Sequence, residues 1–199
     1  APQETPALLK ALGDEGLFGE IPRGTHEDVG WQGFSSLTLL LTRKCNLGCS
    51  YCYASAMPTG ASMPVDLAIG SVNWFVKQLR HKTIRVTFHG GGEPTLEWPV
   101  IQKVVEHTEK IKNDKKTGYL ITTNGTADVE KWDWMMAHEF SISISLDGPP
   151  DIQDRNRPVV GGEPSSKIVE TSIRYLVDHN YPLGVRVTYS PVDNIEAIL

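Results

Sequence analysis

The chain has 199 residues, a length for one domain or slightly more, since domains run ~100–200 residues. Nineteen Lys and Arg against 24 Asp and Glu leave a formal charge of −5, which gives no reason to expect a nucleic-acid backbone as partner. With 40% apolar and 22% charged residues the chain is not a disordered tail, and no apolar run approaches the ~18 residues of a membrane helix.

Residues 1–36 read as an N-terminal extension and linker, with one short helix over Pro6–Leu12 and a Gly- and Pro-containing stretch through Gly33. Ala1–Lys10 has neither the basic start nor the apolar core of an export signal, so a cytoplasmic location is expected. From Leu37 onward, short β-branched runs alternate with longer helical patterns, the signature of a parallel sheet built from βα units. The expected strands are Leu37–Thr42, Ile84–His89, Gly118–Thr123, Ser141–Leu146 and Leu183–Tyr189.

Four helical windows lie between them, each with apolar residues at the 3.6-residue period of a helix covering one side of a sheet. Pro64–Arg80 presents Ala68, Val72, Phe75, Val76 and Leu79, and Pro99–Lys112 presents Ile101, Val104, Val105 and Ile111. Thr126–His138 presents Val129, Trp132 and Met136, and Ser166–Asn180 presents Val169, Ile173, Leu176 and Val177. A fifth helix is expected to begin within Pro191–Leu199. Five parallel strands leave an open edge, so residues 37–199 are expected to be the front part of a longer barrel.

In such folds ligands sit on the loops that follow the strands. Those loops are Arg43–Ala56, Gly90–Thr95, Asn124–Thr126, Asp147–Arg157 and Ser190–Pro191, and the first four hold nearly every unusual cluster in the chain. The first contains all three cysteines, Cys45, Cys49 and Cys52, in a C-x3-C-x2-C spacing. An odd count within eight residues does not make a disulfide framework; clustered thiols of this kind read as metal or cluster ligands. Three thiolates could bind three irons of a [4Fe–4S] cube and leave the fourth iron open. A structural zinc site is the alternative, with His89 on the next loop as the fourth ligand of a Cys3His set.

The spacing of Cys45, Cys49 and Cys52 after a strand, with Gly90-Gly91-Gly92-Glu93-Pro94 about 40 residues later, resembles the radical S-adenosylmethionine (SAM, AdoMet) enzymes and their "GGEP" motif. The match runs from about Leu37 to Tyr189 and implies a partial (β/α)6 TIM-like barrel with about five βα units. Ser145-Leu146-Asp147-Gly148-Pro149, followed by Asp154 to Arg157, resembles a run in anaerobic sulfatase maturases and in peptide-modifying relatives with a SPASM domain. Gln153 stands where that run commonly has His, and Asn124-Gly125 resembles the family's "TNG".

The resemblance implies that Cys45, Cys49 and Cys52 hold a [4Fe–4S] cluster and that AdoMet chelates the open iron. Its reductive cleavage would yield a 5′-deoxyadenosyl radical that abstracts a hydrogen atom from a peptide or protein substrate. A donor such as flavodoxin or ferredoxin would supply the electron. Gly91 and Gly92 would hold the AdoMet ammonium through their backbone, and Tyr51 would lie near the adenine. Ser145 would contact the ribose or carboxylate region, and Arg157 would pair with the carboxylate. Glu93 is either an AdoMet contact or a helix N-terminal carboxylate, and Asn124-Gly125 either shapes the pocket floor or turns the chain. The seven-cysteine SPASM domain does not follow Cys52 in this sequence. Two rival functions remain: a zinc-binding structural or interaction domain, and a radical SAM enzyme acting on a small molecule or on RNA.

Overall fold

The computed structural model describes residues 33–54 and 59–188. Five strands form one sheet: β1 (Leu37–Leu40), β2 (Thr83–His89), β3 (Lys116–Thr123), β4 (Ser141–Ser145) and β5 (Leu183–Arg186). All four pairings are parallel, and the spatial order β1-β2-β3-β4-β5 equals the chain order. Five helices connect them: α1 (Val65–Gln78), α2 (Trp98–Ile111), α3 (Val129–Ala137), α4 (Pro150–Asn156) and α5 (Ser166–Asp178). Parallel crossovers share one hand, so a sheet wound in a single direction receives its crossover helices on one face. That is barrel-type winding, as expected, rather than the two-sided winding produced when strand order reverses.

The register shows which residues face the helices. Leu39, Phe88, Ile121 and Ile142 lie side by side across four strands, and all are buried. Val72 and Phe75 of α1, Val104 of α2, Trp132 and Met135 of α3, and Val169 and Leu176 of α5 complete this core. Phe140 stacks between Phe88 and Tyr119 at ring distances of 5.8 and 5.3 Å. The alternate strand residues face the other way, into the concave side of the sheet.

Several expected elements differ in detail. Strand β1 ends at Leu40 because Thr42 leaves the ladder for an antiparallel bridge with Ser62, which closes the long loop after β1 on itself. Strand β3 begins two residues earlier than expected. Helix α3 buries Met135 rather than Met136 and leaves Val129 exposed, while α5 buries Ser172 and exposes Val177. The periodicity was right to within one residue of phase, which is as far as a short helix constrains it. Helix α4 was not anticipated: Asp147–Arg157 reads as a loop because seven residues are too few to show a period, although Pro150 is a legitimate first helical residue. The helices placed at Pro6–Leu12 and within Pro191–Leu199 lie outside the described residues, as does Tyr189. Among the described residues no helix is long and apolar enough to cross a membrane.

Candidate active site at the C-terminal ends of the strands

The concave side opens at the strand C-termini into a cavity of about 620 Å3, the size range of small-molecule and cofactor sites. Cys45, Cys49 and Cys52 line it together with residues of the loops after β2, β3 and β4. Loops 45, 80 and 110 residues apart in sequence thus meet because each leaves the same end of a parallel sheet.

The cysteine loop is held from two sides. On one, Gly92 N–H donates to the Thr42 carbonyl and Glu93 N–H to the Lys44 carbonyl, both at 2.8 Å. On the other, Gly48 N–H donates to Pro158 O at 2.7 Å, Ser50 N–H to Asn156 O at 2.9 Å, and Val160 N–H to Asn46 O at 3.0 Å. Buried Leu47, paired with Val159 in an antiparallel bridge, anchors the middle. The loop therefore keeps its shape through the segment that follows α4.

Glycine is required at Gly90 and Gly92 by the protein's own backbone. A Cβ on Gly90 would fall 1.5 Å from the Gly92 carbonyl oxygen, and one on Gly92 would fall 1.9 Å from that of Lys44. At Gly91 a Cβ would find nothing nearer than 3.7 Å. Glu93 is 2% exposed, and its carboxylate accepts from Thr95 N and Oγ1, Thr123 Oγ1 and Asn124 N at 2.7–3.0 Å. It caps the short 3-10 turn Pro94–Glu97, as one reading of the sequence had it, and it also ties that turn to the end of β3. Burial pushes its pKa up against these four donors, which pull it down.

Asp147, part of the run that resembles sulfatase maturases, is the hub of the fourth loop. It is fully buried; its carboxylate accepts from the Tyr51 hydroxyl and from Thr188 N at 3.0 Å, and it forms an ion pair with Arg157 Nε at 3.1 Å. Gln153 in α4 accepts from Asp147 N through its side chain and donates to Ser165 Oγ. Asp154 accepts from Ser165 N, Ser166 N and Ser166 Oγ at 2.7–2.9 Å and so caps α5 from outside that helix. These roles were missed because each partner lies on a different element. The available signal was Asp147 two residues beyond the pocket-facing Ser145.

The sulfur atoms have donors aimed at them. Leu47 N and Asn124 Nδ2 lie 3.5 and 3.8 Å from Cys45 Sγ, and Arg157 Nη1 lies 3.9 Å from Cys49 Sγ. Burial pushes the thiols of Cys45 and Cys49 up, and the Arg157 cation opposes this at Cys49. Arg157 is packed over the Tyr51 ring at 5.3 Å; burial works against its charge, and Asp147, Tyr51 and Cys49 together outweigh it and raise its pKa. Burial and then the bond to Asp147 raise the Tyr51 pKa. Asn124 also bonds Asn46 and Thr126, so the "TNG" turn shapes the pocket wall. Ser145 lines the cavity, and its hydroxyl bonds no described residue.

Among the described residues no three His, Cys, Asp or Glu side chains converge on a point that one metal ion could occupy. His89 instead faces its own loop, with Nδ1 3.0 Å from the Gly90 carbonyl, so the Cys3His arrangement is not assembled. Thiols that share one cavity without converging, with N–H donors directed at two of them, suit a group that takes one thiolate per iron.

A one-directional parallel α/β half-barrel with a three-cysteine loop and a glycine-rich loop at its mouth defines a class of metal-cofactor protein. The Radical SAM superfamily matches residues 39–199, and the chain belongs to it. This family uses a [4Fe–4S] cluster and AdoMet. An uncharacterised protein of Methanocaldococcus jannaschii is 30% identical over 154 residues, covering 77% of this chain and 52% of that protein. The serine-type anaerobic sulfatase-maturating enzyme of Bacteroides thetaiotaomicron is 25% identical over 68% of this chain and 34% of its own length. The sporulation killing factor maturation protein SkfB of Bacillus subtilis is 28% identical over 77% and 35%, respectively. A solved structure of anSMEcpe with bound AdoMet superposes with a TM-score of 0.68 at 25% identity, covering 75% of this chain and 43% of that one. The chain spans about half or less of the relatives it matches.

Proposed function

We propose that this chain is the radical-generating part of an enzyme that modifies a peptide or protein substrate. The reading is carried by one observation: the cysteine loop, the glycine-rich loop, Ser145 and Arg157 line a single cavity at the strand C-termini. The similarity to sulfatase-maturating enzymes and to SkfB supports a peptide over a small molecule or RNA. A cluster held by Cys45, Cys49 and Cys52 would supply one electron for the reductive cleavage of AdoMet, and so the means of taking a hydrogen atom from substrate.

The residues of this chain divide the remaining work. Cys45, Cys49 and Cys52 would hold the cluster, with Asn124 and the Leu47 amide placed to stabilise charge on the Cys45 sulfur. Gly91 and Gly92 offer backbone groups to the AdoMet ammonium, and the Ser145 hydroxyl is available to its ribose or carboxylate. Asp147 holds Arg157 by Nε alone, leaving Nη1 and Nη2 with long contacts of 3.9 and 3.4 Å, from which they can turn to a carboxylate. Tyr51, fixed through its hydroxyl, presents its ring to the adenine. Glu93 keeps the glycine-rich loop against β3 and so positions Gly91 and Gly92. The electron donor is a flavodoxin or ferredoxin, and the setting is the cytoplasm.

The test is anaerobic reconstitution of the full chain with iron and sulfide, then dithionite reduction with AdoMet, followed by chromatography for 5′-deoxyadenosine. Wild type is expected to form it and a Cys45→Ala, Cys49→Ala, Cys52→Ala variant to form none. A zinc-loaded protein that takes up no iron would overturn the reading. Adding a cysteine- or serine-containing sulfatase peptide and following its mass tests the substrate class.

A further inference from the structure

Cys49 and Arg157 sit opposite each other in a short backbone clamp. Gly48 N–H donates to Pro158 O at 2.7 Å and Ser50 N–H to Asn156 O at 2.9 Å. The residues flanking Cys49 thus bond the residues flanking Arg157, and the clamp fixes the two side chains against each other. Across 108 residues of sequence, Arg157 Nη1 donates to Cys49 Sγ at 3.9 Å.

The guanidinium is also held away from the sulfur. Asp147 pairs with Nε at 3.1 Å, Nη2 lies 3.4 Å from Thr188 Oγ1, and Arg157 is only 9% exposed. Asp147 spreads its charge over Arg157, the Tyr51 hydroxyl and Thr188 N. The donors at Cys45 are different in kind: Leu47 N at 3.5 Å and Asn124 Nδ2 at 3.8 Å are both neutral. A charged donor is roughly twice as strong as a neutral one, and a low local dielectric strengthens it further. Of these three sulfur contacts, the one from Arg157 therefore carries the most weight.

We infer that Arg157 sets the reduction potential of the cluster, raising it through the Cys49 sulfur, beside its task at the AdoMet carboxylate. The inference rests on the reading above that the three cysteines hold the cluster. Reduction by a low-potential one-electron donor adds one negative charge, which the thiolate sulfurs share. A cation hydrogen-bonded to one of those sulfurs favours the reduced state, and such bonds are among the determinants of cluster potentials. The clamp makes the contact a built one, because neither loop can shift without breaking the backbone bonds on both sides of it.

The experiment is a dithionite redox titration of the reconstituted full chain without AdoMet, followed by EPR of the reduced cluster. Wild type, Arg157→Gln and Arg157→Lys are compared at equal iron content. Arg157→Gln should be about tenfold harder to reduce, a midpoint about 59 mV lower for one electron. Arg157→Lys restores the charge without the planar fork and should recover about half of that shift. In wild type made with ¹⁵N-labelled arginine, pulsed EPR of the reduced cluster should show a nitrogen coupling that Arg157→Lys lacks. AdoMet affinity is read in parallel by equilibrium dialysis.

Coinciding midpoints of wild type and Arg157→Gln overturn the inference, even where Arg157→Gln loses AdoMet, since Arg157 would then serve AdoMet alone. A shift that Arg157→Lys does not recover, with no nitrogen coupling in wild type, also overturns it; altered loop shape or water access would then be the cause. If Arg157→Gln takes up no iron, the nitrogen coupling of wild type decides by itself. A loaded wild type without the effect sinks this inference alone, whereas a wild type that takes up no iron sinks the cluster reading and this inference with it.

Discussion

A Cβ placed on Gly92 would lie 1.9 Å from the carbonyl oxygen of Lys44, the residue that precedes the first cysteine. The glycine-rich loop and the cysteine loop are thus packed backbone on backbone, and the two amide bonds to Thr42 and Lys44 fix their distance. Glycine at this position shapes the cysteine loop before any ligand arrives.

It follows that Gly92→Ala and Gly91→Ala should behave differently. Gly92→Ala forces Lys44 to move and should cost about 3 kcal/mol and most of the iron taken up on reconstitution. Gly91→Ala meets nothing within 3.7 Å and should load iron like wild type. Iron content per chain and urea unfolding decide between them; equal loading of both variants would show that the loop accommodates the clash.

Removing the Glu93 carboxylate should destabilise the protein in the absence of cofactor. In Glu93→Ala the amides of Thr95 and Asn124 lose their acceptor inside the protein, at about 1–3 kcal/mol each. The two threonine hydroxyls can rotate and soften the loss. Denaturant unfolding of the apoprotein should show a drop of about 2–5 kcal/mol. An unchanged apoprotein with weaker AdoMet binding would instead make Glu93 a ligand only.

Asp154 stands in for a local helix cap. No side chain of α5's own N-terminal residue makes the cap bond, and Asp154 supplies it from α4. Asp154→Ala should cost about 1–2 kcal/mol, and Asp154→Asn should retain about half of that stability. Because the segment after α4 braces the cysteine loop, Asp154→Ala should also slow cluster loading, which absorbance during reconstitution would reveal.

Acid stability should depend on Glu109. Burial raises its pKa, but hydrogen bonds from Lys112, Thr117 and Tyr119 outweigh this and hold it below the usual carboxylate range. A carboxyl with a lowered folded pKa stabilises fully above its unfolded value of about 4.3 and loses that contribution as pH falls through the folded value. Glu109→Gln should therefore flatten the fall in stability below about pH 5 and lower stability at neutral pH. Parallel pH–stability curves for the two proteins would show no difference if the carboxylate were unpaired in solution.

Much of the architecture was legible along the chain. The five strands alternate with helices whose apolar faces recur every three to four residues, and this pattern is local enough to survive without coordinates. The cysteine spacing and the Gly90–Pro94 run were legible for the same reason, since each keeps its chemistry within a few consecutive residues. Helix α4 was not, because seven residues starting at Pro150 after a Gly–Pro turn carry no periodicity.

What the sequence alone determined was the alternation of strands and helices and the spacing of the cysteines and glycines that fall on the loops after them. Only the tertiary structure decided how those residues are held: Asp147 under Tyr51 and Arg157, Glu93 bonded to Asn124, and Asp154 capping α5. The reason is physical. Periodicity and motifs report interactions between near neighbours, whereas a buried carboxylate finds its donors across tens of residues, wherever the sheet brings them within 3 Å.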